Sequence, residues 1–157
     1  MRALAGAAPQ RGIAALEMVL VLPLLLLFLA AILFFGRYLS YYTTAQKAAH
    51  DAVRYLATVS QREMKTPSGA GGLTPVARIA QMIGQQEMAG LHPGPSGADV
   101  WIDCTPQPCV GIFIPTKVRV VIQMQVTDEL FAPFSGPFLG AGGMPLWVEV
   151  SMPYLGQ

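Results

Sequence analysis

One acidic residue lies inside the longest apolar stretch of the chain. Glu17 is the fifth residue after Gly12 and stands near the start of an apolar run that reaches Phe35. A charged side chain within a membrane helix costs about 2 to 3 kcal/mol even on lenient insertion scales, so an acid at this position is by default a functional residue. Cleavage after Gly12 would give a new chain in which Ile13 is first and Glu17 is fifth. The α-amino group of a neighbouring cleaved copy could then neutralise the carboxylate.

A second interpretation of Glu17 needs no cleavage. Charged side chains near the ends of spans often extend to the headgroup interface, and Glu17 lies one turn inside the span. The short polar leader and Arg11 immediately before Gly12 favour processing. We therefore predict that residues 1–12 are a leader peptide and that the peptide bond between Gly12 and Ile13 is cut.

The apolar run is long enough to cross a membrane. Residues 13–35 contain one charged residue. As a helix they would extend roughly 34 Å, against about 30 Å for the hydrocarbon core. Ordinary secretory signals have a shorter apolar region, so we expect this span to remain in the mature protein. Arg2 and Arg11 before the span, against Arg37 after it, favour a cytoplasmic N-terminus and an exported C-terminal part.

Composition excludes several functions. The chain has 157 residues, of which 53% are hydrophobic and 12% charged, which is too apolar for an ordinary soluble domain. A net charge of +1 with scattered basic residues gives no footprint for nucleic acid. His50 and His92 are too few and too far apart for a metal site, and no nucleophile or carboxylate pair stands at a catalytic spacing. We expect no enzyme, no cofactor and no metal.

The helix is predicted to continue beyond the membrane. Apolar side chains recur at intervals of three and four residues in the region 36–64, which indicates an amphipathic continuation of the span. One helix from Ile13 to about Arg62 is expected, and Pro23 should kink it because proline removes a helical hydrogen bond. The apolar positions are Leu39, Tyr42, Ala45, Ala49, Ala52, Val53, Leu56 and Val59.

A second, shorter helix is predicted after a linker at residues 65–73. Thr74 and Pro75 are typical of an N-cap followed by proline at the first helical position, and the helix should end before Gly90. This helix opens a head domain that we assign to residues 74–157. Its predicted apolar face consists of Val76, Ile79, Ala80, Met82, Ile83 and Met88.

The C-terminal part changes to a two-residue period. Apolar residues alternate with polar ones most clearly at 118–126, and again at 98–103 and 146–152, which predicts half-buried antiparallel strands. Residues 110–114 are predicted to pair with 98–103 across the cysteine loop. The fold class is therefore α+β: a long N-terminal transmembrane and stalk helix, a short second helix, and a small antiparallel sheet of three to four strands covered by the helices on one face.

Two further groups of side chains need an explanation. Cys104 and Cys109 are the only cysteines, and a lone pair at this spacing fits a disulfide in an exported domain better than half of a zinc site. Two unpaired buried thiols are the alternative. Phe131, Phe134 and Phe138 lie in a Pro- and Gly-rich connection, where they either fill the gap between sheet and stalk or form a docking surface for a partner.

The N-terminal pattern resembles a known family. Gly12 with Glu17 is similar to the signal of type IV prepilins, and the sequence from Arg11 to about Ala57 resembles the TadE family, the pseudopilins of the tight-adherence (Tad) pilus. The segments that carry the resemblance are RGIAALEMVLVLPLL at 11–25, FGR at 35–37 and AAHDAVRY at 48–55. Members usually have Phe after the Glu and a small residue after the Gly, where this chain has Met18 and Ile13.

The resemblance implies a role in pilus assembly without catalysis. A prepilin peptidase would cut after Gly12, and Glu17 would pair with the amino group of an adjacent subunit. It further implies a pilin-like fold, a single pass through the bacterial inner membrane with a periplasmic head, contact with membrane lipid, and partners among other Tad pilins and the inner-membrane assembly platform. Whether the protein enters the filament, caps its tip or stays in the membrane is left open.

Three other assignments stay open at this stage. A pseudopilin of a type II secretion system would share the cleavage site and Glu17. An unprocessed single-pass anchor for a periplasmic binding domain would keep Met1 to Gly12 in the mature chain. The TadF and TadG relatives share the N-terminal pattern of TadE, and this sequence separates the three poorly.

Overall fold

The computed structural model describes residues 11–67, 72–94, 96–128, 132 and 143–156, without the side chains of 11–14. The described residues form three helices, α1 (Arg11–Thr58), α2 (Gln61–Met64) and α3 (Pro75–Met88), and three strands, β1 (Ala98–Thr105), β2 (Lys117–Val126) and β3 (Met144–Pro153). The chain divides into an anchor unit that ends at Arg37 and a head unit that begins at Tyr38. These elements confirm the predicted α+β class.

The anchor unit is helical throughout its described residues. The helix is long and apolar enough to cross a membrane, and only 6% of its most apolar window is buried within the protein. Large apolar side chains such as Leu20, Leu22 and Phe28 are therefore exposed on all sides of the helix. A helix that is apolar all round needs an apolar surrounding, which is the condition of a single-pass membrane anchor.

In the head unit, α1 has one deeply buried stripe. Small and medium apolar residues at three- and four-residue spacing have no exposed surface: Ala45, Ala48, Ala49, Ala52, Val53 and Leu56. The predicted continuation of the helix is confirmed, but α1 ends at Thr58 and not near Arg62. Ser60 begins the separate turn α2, since its hydroxyl accepts a hydrogen bond from the Glu63 amide and donates one of 2.8 Å to the Glu63 carboxylate.

Helix α3 begins as predicted, with Thr74 as N-cap and Pro75 in the first turn. Its buried face differs from the prediction, because Ile79 and Met82 are exposed whereas Ala77 and Gly84 are buried. The reason is the close approach of the helix to β1: a Cβ on Gly84 would lie only 3.0 Å from a methyl carbon of Val100. Small residues allow this packing, and the larger apolar side chains are displaced to the flank of the helix.

The sheet has the order β1-β2-β3, with both pairs antiparallel. Its register aligns Val100, Ile122 and Val148 in one row, and these side chains are buried together. The predicted alternation is confirmed for β1 and for β3 as far as Glu149. In β2 it holds except at Val121, which is buried although it lies among the outward-facing positions. The opposite, outer face of the sheet shows exposed or half-exposed side chains, among them Asp99, Trp101, Arg119, Trp147 and Glu149.

The predicted strand at residues 110–114 is wrong. The structure pairs β1 directly with β2, from Ala98 opposite Met124 to Thr105 opposite Lys117, so the residues between Thr105 and Lys117 form the connecting loop. Gly111 in this loop has φ +88°, a conformation that only glycine adopts readily. Ile112 is exposed. Four apolar residues interrupted by a glycine were too short a run to separate a strand from a loop.

Candidate assembly site

The predicted cleavage site lies at the start of α1. The helix begins at Arg11, so the backbone of Gly12 and Ile13 belongs to its first turn. The predicted leader before this point, residues 1–10, lies outside the described residues. The site is therefore located at the boundary of the apolar helix, and its cutting stays a prediction.

Glu17 lies one turn further along the same helix. Its side chain is exposed, and so are those of its neighbours Leu16, Met18 and Leu20. The side chains next to this carboxylate are apolar, so they offer it no hydrogen bond. In a membrane this group needs a hydrogen-bonding or charged partner from another chain, or contact with the headgroups.

Pro23 lies in the middle of the apolar segment, and the helix continues through it. Because proline has no N–H, the carbonyl of Val19 lacks its usual helical partner. Membrane helices tolerate such a gap when a neighbouring helix covers the carbonyl. The predicted kink stays a prediction.

The cysteine loop holds the start of α3. Cys104 and Cys109 form a disulfide with a Cα–Cα distance of 5.1 Å, as predicted from the sequence. The carbonyl of Cys109 accepts a hydrogen bond of 2.8 Å from the amide of Thr74, the buried N-cap of α3. The Thr74 hydroxyl in turn accepts one from the Ala77 amide at 3.3 Å. The disulfide therefore fixes an acceptor on which the first turn of α3 depends.

The outer face of the sheet carries a cluster of charges that the sequence analysis missed. Arg119 on β2 forms ion pairs with Asp103 on β1 at 2.5 Å and with Glu149 on β3 at 3.3 Å. The hydrogen bonds to Asp103 and then to Glu149 raise the pKa of Arg119 above its ordinary value. The sequence signal for this cluster is the polar residues that alternate with apolar ones in each strand. They predict the cluster only when the register of the three strands is known.

Two tyrosines tie α1 to other parts of the head unit, and they were also missed. The Tyr38 hydroxyl donates to the Pro145 carbonyl at 3.2 Å, and the Tyr41 hydroxyl donates to the His92 carbonyl at 3.1 Å. Tyrosine in an amphipathic helix is compatible with many roles, so spacing alone gave no signal for these bonds. The predicted partner surface of Phe131, Phe134 and Phe138 lies outside the described residues.

The remaining chemistry of the described residues is limited. No group of three or more His, Cys, Asp or Glu side chains in this part of the chain is placed to hold a metal ion. The side chains that stand out are instead an acid on an exposed apolar helix and a small disulfide-linked head. This combination suits assembly with other chains.

Comparison with known proteins bears on the N-terminal segment. Residues 12–54 match the family model of the TadE-like proteins. The N-terminal segment of this chain is TadE-like. The match confirms, over this segment, the resemblance read from the sequence. Residues 55–157 lie outside the TadE-like segment, and no curated protein and no solved structure matches the chain.

Proposed function

We propose that this protein is a minor pilin, or pseudopilin, that takes part in assembling or priming a Tad pilus for adhesion. The observation that carries the proposal is the position of Gly12 and Glu17 at the start of an exposed apolar helix, within the TadE-like segment. The protein performs no catalysis of its own. The same segment favours a Tad system over a type II secretion system, because the match is to the TadE-like family.

Processing prepares the chain for assembly. A prepilin peptidase cuts after Gly12 on the cytoplasmic face of the inner membrane. A residue with a larger side chain at position 12 would crowd the peptidase pocket. The cut creates a positively charged amino group on Ile13. The mature chain keeps its apolar helix in the membrane and its head in the periplasm, where the disulfide is stable because the compartment is oxidising.

Glu17 then selects the partner. In hydrocarbon the free energy of an isolated carboxylate is high, and a nearby amino group lowers it strongly because the surrounding dielectric constant is low. The amino group of Ile13 on an adjacent Tad pilin or pseudopilin meets this requirement. The pairing fixes the axial register of two membrane-spanning segments, because residues 13–35 contain no other charged side chain that could define it. The inner-membrane assembly platform is the place where the two helices meet.

Replacement of Glu17 tests this role. Glu17→Ala removes the carboxylate and keeps the cleavage site, so we expect a normally cut protein in cells that lack pili. Glu17→Asp is the matched control, since it keeps the charge and shortens the side chain by one methylene, and it should retain part of the piliation. The N-terminus is read by mass spectrometry and the pili by electron microscopy. Normal piliation with Glu17→Ala would refute the role.

A further inference from the structure

The two outer strands of the sheet differ in how the backbone groups on their free sides are bonded. On the free side of β1, the side-chain amide of Gln81 on α3 donates a hydrogen bond of 2.8 Å to the Val100 carbonyl. Helix α3 packs closely against the same strand, since Gly84 lies next to Val100. A helix that covers an edge strand in this way blocks the addition of another strand. Strand β3 lacks this kind of cover.

Hydrogen bonds at the two ends of β3 show which of its residues direct backbone groups away from β2. The Pro145 carbonyl accepts a bond from helix α1, and the Leu155 amide, just past the strand, donates to a carbonyl of the same helix. Between them the Tyr154 amide donates to the Thr116 carbonyl, on the side of β2. Successive residues of an antiparallel strand direct their backbone groups alternately to opposite sides. The residues within β3 that direct them to the free side are therefore Trp147, Glu149 and Ser151.

The backbone groups of these three residues on the free side form what we call the β3 edge. Among the described residues, no hydrogen bond reaches this edge. Its surroundings are open, because 54% of Trp147 is exposed and the Glu149 side chain is exposed as well. The bonds from α1 lie at Pro145 and Leu155, beyond both ends of the edge. The N–H and C=O groups of the β3 edge are thus available to an added strand.

The inner face of the sheet is also incompletely covered along β3. Val150 and Met152 are partly exposed, whereas the residues opposite them on β2, Val120 and Val118, have no exposed surface. Side chains directly opposite each other on neighbouring antiparallel strands lie about 4.5 to 5.5 Å apart. Apolar side chains on a strand beside β3 would therefore cover Val150 and Met152.

The charges on the outer face narrow the choice of partner. Arg119 forms ion pairs with both Asp103 and Glu149, so the three side chains together carry one net negative charge. Glu149 lies on the outer strand, and a residue opposite it on an added strand would share the outer face with it. A lysine or arginine at that position would balance the charge. The partner that fits the β3 edge is an extended segment in which basic residues alternate with apolar ones.

We propose that the β3 edge binds an extended segment of another protein as an added antiparallel strand, with basic side chains beside Glu149 and apolar ones beside Val150. Backbone hydrogen bonds give the affinity, and the alternating side chains give the selectivity. Pro145 and Pro153 have no N–H to offer, so they limit the contact to the residues between them. The proposal uses neither the cleavage site nor the acid in the apolar helix, and it goes beyond the proposed function.

A synthetic peptide tests the contact. The probe is KVKVKVK, capped at both ends and titrated into the full chain in an uncharged detergent. When its lysines share the outer face with Glu149, the lysine N–H groups point to β3 and the valine N–H groups point away. Methylation of two inner lysine backbone nitrogens should therefore weaken binding at least about tenfold relative to methylation of two valine backbone nitrogens. Equal affinities, the reverse order or no binding would overturn the proposal.

Ser151→Pro tests the same contact from the side of the protein. The substitution removes one N–H from the β3 edge and leaves the bonds between β3 and β2 in place, a position at which edge strands tolerate proline. Ser151→Ala is the matched control, because it keeps the N–H. We expect the unmethylated peptide to bind at least about threefold more weakly to Ser151→Pro and equally well to Ser151→Ala. Equal binding to the two variants would contradict the proposal.

Two further measurements complete the test. Circular dichroism checks that both variants are folded, and the methylated peptides decide the question on the unmodified chain if Ser151→Pro is unstable. Sedimentation of the full chain in the same detergent should show a monomer. Dimers that Ser151→Pro dissociates and Ser151→Ala does not would assign the edge to a second copy and overturn the proposed partner. None of these measurements depends on pilus formation, so the proposed function keeps its own test.

Discussion

The two parts of helix α1 differ in how far their apolar side chains are exposed. In the anchor unit, Leu20 leaves 71% of its surface exposed, and in the head unit Leu56 on the same helix leaves none. Both residues are leucines in α-helical backbone, so the difference lies in the surroundings of each segment. The anchor segment has its apolar surface still to bury, whereas the head segment has buried it within the protein.

The residue types follow this difference. The anchor segment is rich in leucine around the whole helix, which maximises apolar surface towards lipid. The buried stripe in the head contains four alanines, at 45, 48, 49 and 52, which allow neighbouring elements to come close. One long helix can therefore serve as a membrane anchor in its first part and as a core helix in its second part. The two parts differ in the size of their apolar side chains and in whether polar residues are present.

Matched leucine truncations test this contrast and should give the largest effect. Leu56→Ala leaves a cavity in the head and should lower its free energy of unfolding by about 2 to 5 kcal/mol. Leu20→Ala removes the same atoms from the anchor and should leave head unfolding unchanged. Denaturant titration in detergent, followed by fluorescence of the two tryptophans of the head, measures both. Similar losses in the two variants would contradict the contrast.

Removal of the disulfide should give the next largest effect, and only in the head. The double substitution of Cys104 and Cys109 by alanine should cost about 2 kcal/mol, because a small closed loop restricts the unfolded chain. The Thr74 amide should also exchange its hydrogen faster, since its acceptor is the Cys109 carbonyl. The Gly94 amide, bonded to Gln125, is the internal control. Equally accelerated exchange at both amides would show that the disulfide loop does not specifically stabilise the start of α3.

The smallest effect concerns alkaline pH. Burial, and then the charge of Glu63, raise the pKa of Tyr154, whose phenol donates to the Val59 carbonyl at 2.7 Å. A hydrogen bond to Glu87 likewise raises the pKa of Lys47. For both groups the protonated form is favoured in the folded head, so their contribution is complete below about pH 10 and is lost as pH rises through the folded pKa.

Tyr154→Phe isolates this contribution. The variant should lose about 1 kcal/mol at neutral pH, because one hydrogen bond is removed. Its stability should then decline less than that of the unmodified protein as pH rises above about pH 10. Thermal unfolding at a series of pH values measures both effects. Parallel pH profiles would show that Tyr154 does not titrate with folding.

The sequence predicted the features that depend on local pattern. The length of the apolar run, the N-cap at Thr74 and the alternation in 118–126 each follow from spacing within one element, and the structure has the corresponding helices and strand. Cys104 and Cys109 were predictable because no other cysteine competes for either of them. These predictions needed no knowledge of neighbouring elements.

Most of the failures depend on which elements become neighbours; the end of α1 at Thr58, followed by the local cap at Ser60, is the exception. The burial of Gly84 in place of Met82 depends on how closely α3 approaches Val100, which no helical period encodes. Residues 110–114 form a loop because β2 pairs with β1 directly. The Arg119 cluster and the Tyr38 bond join residues far apart in the sequence, so they need the register and the packing before they can be seen.

The central claim is that this chain is cut after Gly12 and assembles as a pilin-like subunit. The most direct measurement is the intact mass and N-terminal sequence of the protein extracted from membranes of cells with and without the prepilin peptidase. We predict Ile13 as the first residue when the peptidase is present, and Met1 when it is absent. A chain that keeps Met1 in both strains would contradict the claim and leave a plain single-pass anchor.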